Sequence, residues 1–224
     1  MLVRTVPNPP FRGVVYKSTQ TTTTNETTTT WTGLDIGAPH PDRVVILAIY
    51  HGVNGSIIEP TDVNGVPSCH TKQLNEFGIS VHKVPLDTVG IVRVSATSSL
   101  RKAVSIYVAY PFQAQPVESG SISANTTTDA ALNNWKQILG GFLVYSGGQN
   151  AVLGTFTTTW NGSESLVENV DAQLEGTASY TSGHVNNMLV SANVNDLVMA
   201  ESASGTKRLI GVMHYPPRPG ILLY

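Results

Sequence analysis

A single cysteine, Cys69, excludes any disulfide within the chain and any cysteine-based zinc cluster. Charge is scarce as well. Asp, Glu, Lys and Arg make up 12% of the 224 residues, about half of the usual ~25%. They nearly cancel, to a formal −2, so the chain has no broad basic footprint for nucleic acid or an acidic membrane surface. The opening MLVRTVPNPPFRGVV lacks the apolar core of a signal peptide. No apolar run approaches the ~20 residues of a membrane helix. A chain made in a cytoplasm and not inserted into a membrane is therefore expected. Four N-x-S/T sequons, at Asn25, Asn54, Asn125 and Asn161, are read as chance in so Asn-, Ser- and Thr-rich a sequence. A surface with few long charged side chains suits packing into an assembly.

What is present is strand signal. RVVILAIY (43–50) is a short apolar run rich in β-branched residues and reads as a buried central strand. Asn64-Gly65 supplies the positive φ values of a two-residue hairpin turn. GISVHKVPL reads as an alternating strand, and GIVRVSA with KAVSIYVAYPF as a hairpin. The Ser/Thr/Gly/Asn-rich stretch 113–134 reads as a long crossing connection with a helical turn near TDAALNNW. Further strands follow at GGFLVYSGG, GTFTTTW and HVNNMLVSAN, and DLVMAES with TKRLIGVMHY reads as a closing pair.

The tract TTTTNETTTT contains no proline or glycine, and Thr suits a pleated surface, so it is expected at a sheet edge rather than in a stalk. WTGLDIG with RVVILAIYHG faintly echoes GGFLVYSGG with WNGSESLVE, in different order, and IYVAYPF and IGVMHYPP both end a strand in an aromatic–Pro pair, as two Greek-key halves of one sandwich would produce without gene duplication. The expected fold is all-β, a single antiparallel sandwich of jelly-roll or Greek-key type spanning 17–215. Extended arms flank it at 1–16 and 216–224. Pro7, Pro9, Pro10 and Phe11 mark the first arm; Pro216, Pro217, Ile221, Leu222, Leu223 and Tyr224 mark the second. Prolines keep both out of a ladder, and the apolar tetrad at the second needs a surface to dock on.

Chemistry is thinly marked. Glu164, Glu168, Asp171 and Glu175 form the strongest acidic cluster, but the spacing is not that of a calcium loop, and a solvated loop is the expectation. Asp35 and Asp42 are expected to form turns beside Pro and Gly. His40, His51, His70, His82, His184 and His214 lack metal-ligand spacing, and His51 and His214 are expected at strand rims. Cys69 and His70 are adjacent, hence on opposite sides of a strand, which argues against a dyad. Trp31, Trp135 and Trp160 are aromatic candidates for sugar stacking. Trp160 with Asn161 and Glu164 makes the most defined glycan contact, although a large indole is more often core. No cofactor and no catalytic residue are expected.

The run GLDIGAPHPDRVVILAIYHG, the turn DVNGVPS, the strand SIYVAYPF, the element WNGSESLVE and the closing KRLIGVMHY, in this order, resemble bacteriophage and prophage virion structural proteins. The resemblance covers most of 18–215. It implies a small β-sandwich component, tail-fibre-like, head-fibre or decorating a capsid, without cofactor or catalysis. Its expected partners are other virion proteins and further copies of itself, a trimer being one arrangement, with a host surface glycan as an additional contact. The expected location is the virion, after synthesis in the bacterial cytoplasm. The alternative is a carbohydrate-binding sandwich acting as a receptor-binding module.

Overall fold

A computed structural model describes residues 13–52, 58–110, 116, 118–124, 129–135, 140–150, 156–175, 178–186, 188, 195–201 and 206–214, and every regular element among them is a strand. The first half supplies β1 (Gly13–Thr21), β2 (Glu26–Asp35), β3 (Val44–Tyr50), β4 (Ile58–Val63), β5 (Val66–Pro67), β6 (His70–Leu74), β7 (Phe77–Lys83), β8 (Val89–Leu100) and β9 (Ala103–Tyr110). The second supplies β10 (Glu118–Ala124), β11 (Ala130–Trp135), β12 (Phe142–Asn150), β13 (Phe156–Trp160), β14 (Leu166–Glu175), β15 (Ala178–Val185), β16 (Asn195–Glu201) and β17 (Lys207–His214).

These strands build four antiparallel sheets rather than the two of one sandwich. The first half folds into an inner sheet β1-β9-β3-β7-β6 and an outer sheet β2-β8-β4-β5. The second half repeats the plan, with an inner sheet β10-β17-β12-β15-β14 and an outer sheet β11-β16-β13. Strand for strand the order is the same, and only the two-residue β5 has no counterpart. In each half the first strand pairs with the last and the second with the next to last.

Three apolar cores fill the gaps between layers. Val45, Leu47, Ile49, Val104 and Ile106 of the first inner sheet pack on Leu34, Val63, Val92 and Val94 of its outer sheet. Leu143, Tyr145, Leu209 and Met213 of the second inner sheet pack on Leu132, Trp135, Phe156, Trp160, Leu197 and Met199. The third core lies between the inner sheets, where Val44, Ile46, Phe77, Ile79 and Val81 meet Phe142, Val144, Tyr180, Ile210 and Val212. The central inner strands therefore have no solvent face. β3, β7 and β9 are buried on both sides, so β7 does not alternate between core and water: Ser80 and His82 are as buried as Ile79 and Val81.

The joint between the halves also carries hydrogen bonds. The Tyr180 hydroxyl donates to Ala48 O at 2.9 Å and lies 2.8 Å from Ser105 Oγ. Ser182 Oγ is 2.9 Å from the same Ser105 Oγ and accepts from the Tyr107 hydroxyl at 3.0 Å. β1 lies beside β14 and β10 beside β6, the arrangement that a local twofold relating the halves would produce.

Several sequence expectations change against this frame. The apolar run 43–50 is a central strand, and Val63 pairs with Val66 across Asn64 and Gly65, at φ 54° and 75°. The threonine tract supplies the end of β1 and the start of β2, an edge strand of the outer sheet. β8 and β9, however, are not a hairpin, since β8 runs through the polar TSSL and belongs to the outer sheet. Likewise β16 and β17 lie in different sheets. Stretch 113–134 holds β10 and β11 instead of a bare connection, and Ala130–Trp135 is strand rather than helical turn. Residues 13–16 of the expected first arm belong to β1, paired with 107–110 of β9. The remaining arm residues, Pro7, Pro9, Pro10, Phe11, Pro216, Pro217, Ile221, Leu222, Leu223 and Tyr224, lie outside the described residues.

Candidate functional site

Cross-strand register places where the chain joins the sheets and where it leaves them. Val14 pairs with Ala109, Ala109 with Val44, and Val44 with Lys83, forming one row across the first inner sheet. Met213, Leu143 and Val185 form a row across the second. Asn186 ties the two rows together: its Oδ1 accepts from Val14 N and its Nδ2 donates to Val14 O, both at 2.7 Å. Gly13 and His214, the first and last strand residues among those described, therefore lie at the same end of the body.

That end is rigidly built. Arg43, fully buried, uses its planar fork to donate to three loop carbonyls: Val84 O (2.6 Å), Gly37 O (2.7 Å) and Asp87 O (2.6 Å). The Tyr110 hydroxyl donates to Ala38 O at 2.7 Å. Asp35 Oδ1 accepts from Gly37 N at 2.7 Å, the turn role expected of it, and that bond holds its carboxyl below the usual carboxylate range. Asn64 fixes the start of β8, its Nδ2 donating to Val89 O and its Oδ1 accepting from Ile91 N.

The two clamps present three apolar side chains to water. Leu86 is 79% exposed, Val89 54% and Ile91 46%. Val89 and Ile91 share one face of β8, and Leu86 stands three residues before Val89. The sequence reading missed them, because GIVRVSA looks like any half-buried strand. Pro85-Leu86-Asp87 was the one local hint, an apolar residue inside a turn.

The residues proposed for glycan contact do assemble, with Trp160 turned inward, Asn161 exposed and Glu164 half-buried. Trp160 is only 8% exposed and packs in the second outer core, so its ring faces are covered by protein; its Nε1–H donates to Glu164 Oε2 at 3.2 Å. Asn161 Oδ1 accepts from Asp196 N at 2.7 Å. The three staple a strand end and offer no stacking platform. Trp135 is core, and Trp31 is partly buried against the first outer core.

Four histidines, His51, His82, His184 and His214, are interior groups, while His40 and His70 are half-buried. His51 and His214 are fully buried, not at a rim, and His214 stacks on Phe142 at 5.0 Å between ring centroids. Burial lowers the pKa of His51, His82 and His184 to about 4 in each case. His82 Nδ1–H donates to Val66 O, leaving Nε2 to accept from Ser80 Oγ. Cys69 Sγ donates to Val81 O, and desolvation raises the thiol's pKa, the reverse of an activated nucleophile. Among the described residues no three His, Cys, Asp or Glu side chains gather as a metal cluster.

No protein family, curated protein or solved structure matches the chain.

Proposed function

We propose that this is a non-enzymatic structural protein of a phage or phage-like particle, a capsid-decorating or fibre subunit that attaches through the end where its chain joins and leaves the sheets. The observation that carries the reading is the coincidence of three things at one end: Gly13, His214 and the clamped apolar group Leu86, Val89 and Ile91. The expected arms, Pro7–Phe11 and Pro216–Tyr224, adjoin Gly13 and His214 in sequence, and in this reading arm and apolar surface act together on the same neighbour. The nested pairing of each half is that of a jelly roll, an architecture used by capsid and lectin domains among others; this supports the reading by analogy only. The order of motifs shared with phage virion proteins points the same way. Self-association into a homo-oligomer follows, with copies meeting at this end.

Light scattering of the full-length chain at tens of micromolar tests it. The expected result is an oligomer that Leu86→Asp with Ile91→Asp, both at exposed positions, converts to a folded monomer. A full-length chain that is already monomeric, or an oligomer indifferent to these substitutions, overturns it.

A further inference from the structure

The acidic segment expected to be a solvated loop is β14, the edge strand of the second inner sheet. Glu168 is registered on Gly183 and Asp171 on Thr181 of the neighbouring β15. Across the gap stands β13, the edge strand of the outer sheet, whose Phe156 N donates to Asp171 Oδ2 at 3.2 Å. This edge of the sandwich is therefore lined by two carboxylates, with Asp171 at the exposed mouth and Glu168 further in.

Behind them are hydroxyls. Thr181 Oγ1 donates to Glu168 Oε1. Thr158 of β13 and Tyr145 of β12 point into the same space, and both are over nine-tenths buried. Tyr145 OH and Thr158 Oγ1 form no well-aligned hydrogen bond, although Thr158 and Thr181 lie close enough to the phenol to offset part of the rise that burial gives its pKa. The tyrosine ring reaches there because Gly183 has no side chain: a Cβ on it would lie 2.7 Å from Tyr145 Cε1 and 2.8 Å from the hydroxyl. Since Gly183 is registered on Glu168, the unpartnered phenol is held beside that carboxylate.

Such an arrangement is costly as it stands. A buried hydroxyl without a partner costs free energy, and two carboxylates near each other repel. Both carboxyls have pKa values raised chiefly by desolvation, Asp171 adding to the rise at Glu168, and no basic side chain lowers either. The matching edge of the first half is built differently. There β5 adds a strand, and Thr61, Ser80 and Val66 O satisfy His82.

We propose that the edge cleft between β13 and β14 binds a hard divalent cation of the calcium class, held by Glu168 and Asp171 with the hydroxyls of Thr158, Thr181 and Tyr145 completing an all-oxygen shell. Oxygen-only donors at the end of flexible side chains suit calcium, whereas magnesium demands a small, near-octahedral arrangement. The cation would neutralise the carboxylate pair and occupy the space the orphan hydroxyls face. This is independent of the assembly reading, which concerns the opposite half's loops.

Thermal unfolding and calorimetric titration of the full-length protein with CaCl2, against NaCl at equal ionic strength and MgCl2, test the proposal. The expected affinity is modest, with Kd on the order of 10⁻⁴–10⁻³ M, as in other low-charge-count calcium sites. At about 10 mM CaCl2 the midpoint should rise by about 3–5 °C. Glu168→Gln with Asp171→Asn keeps one acceptor oxygen on each side chain, for Thr181 Oγ1 and Phe156 N, while removing both charges, and should abolish the response. Tyr145→Phe, which removes a hydroxyl the apo fold does not use, should leave the calcium-free midpoint unchanged or higher and weaken calcium binding about threefold to tenfold. No calcium response beyond the NaCl control, or an equal response in the Gln/Asn variant, overturns the proposal.

Discussion

Arg208 of β17 and Glu76 of the β6–β7 turn form a buried ion pair that joins the second half of the molecule to the first. Arg208 approaches Glu76 Oε1, while Oε2 is buried without a hydrogen-bond partner. Burial raises the Glu76 carboxyl's pKa more than Arg208 lowers it. The pair is thus a connection whose loss on one side is far worse than its absence on both.

Removing Arg208 alone should be severe. Arg208→Met strands an acid at the joint and is expected to cost about 3–5 kcal/mol, whereas Arg208→Met with Glu76→Leu should recover most of it. Urea denaturation of the two single variants and the double variant gives the coupling directly. Additive losses would show that the two side chains do not depend on each other.

Acid should destabilise the protein through its histidines. His51, His82 and His184 take up a proton only near pH 4 when folded, but near 6.5 when unfolded. Between those values the unfolded chain binds more protons, so stability falls as pH drops from about 6.5 to 4, with an upper limit of about 3 kcal/mol per histidine. Glu76, Glu168 and Asp171 have raised folded pKa values and act oppositely: their contribution is present below the unfolded pKa and lost as pH rises. Urea midpoints across pH 4–7 should therefore fall on acidification, and His82→Gln should flatten the slope by about a third.

Gly148 sits where the halves touch. A Cβ there would come within 2.1 Å of Ser179 O and 2.9 Å of the Phe77 ring, and the backbone φ is +152°. Gly148→Ala must displace either the neighbouring strand or the opposing half, and is expected to cost about 3 kcal/mol. Calorimetry would register this as a lower midpoint; an unchanged midpoint would mean the joint is looser than the packing implies.

Arg43→Lys keeps the charge but loses the fork that spans the carbonyls of Gly37, Val84 and Asp87. A loss on the order of 2 kcal/mol is expected. Hydrogen exchange should quicken in 37–43 and 84–89 while the β3 and β9 amides stay protected. Equal acceleration throughout would place the role of Arg43 in the core rather than in holding the loops.

The all-β class, the central strand at 43–50 and the Asn64-Gly65 turn were legible because each is a local pattern. The four layers were not. Burial on both faces turns β7 and β9 into strands whose polar residues are satisfied internally, so Ser80, His82 and Ser105 read as solvent-facing in sequence. The echo was half a trace of the repeat: RVVILAIYHG and GGFLVYSGG are β3 and β12, the matching central strands of the inner sheets, whereas WTGLDIG on β2 and WNGSESLVE at the end of β13 do not correspond. The shared aromatic–Pro endings follow β9 and β17, again a matching pair. Pairing partners went astray wherever a strand crossed to the other layer, because a polar turn of a few residues looks the same whether it closes a hairpin or bridges two sheets. The edge cleft was half visible. Its carboxylates stood out, but Thr158, Thr181, Gly183 and Tyr145 reach it only through register.

Two identical half-chains could meet face to face in the same way, but a symmetric contact must repeat itself on the other side of its axis. Any acid that met a base would do so twice, and each residue would have to suit both places at once. In the fused chain, Glu76 meets Arg208 once. Asn186 clasps Val14 once, and among the described residues the Glu168 and Asp171 carboxylates line one edge without a counterpart at the other. Joining the halves covalently thus turns a self-complementary contact into a complementary one, with each side free to carry chemistry its twin lacks.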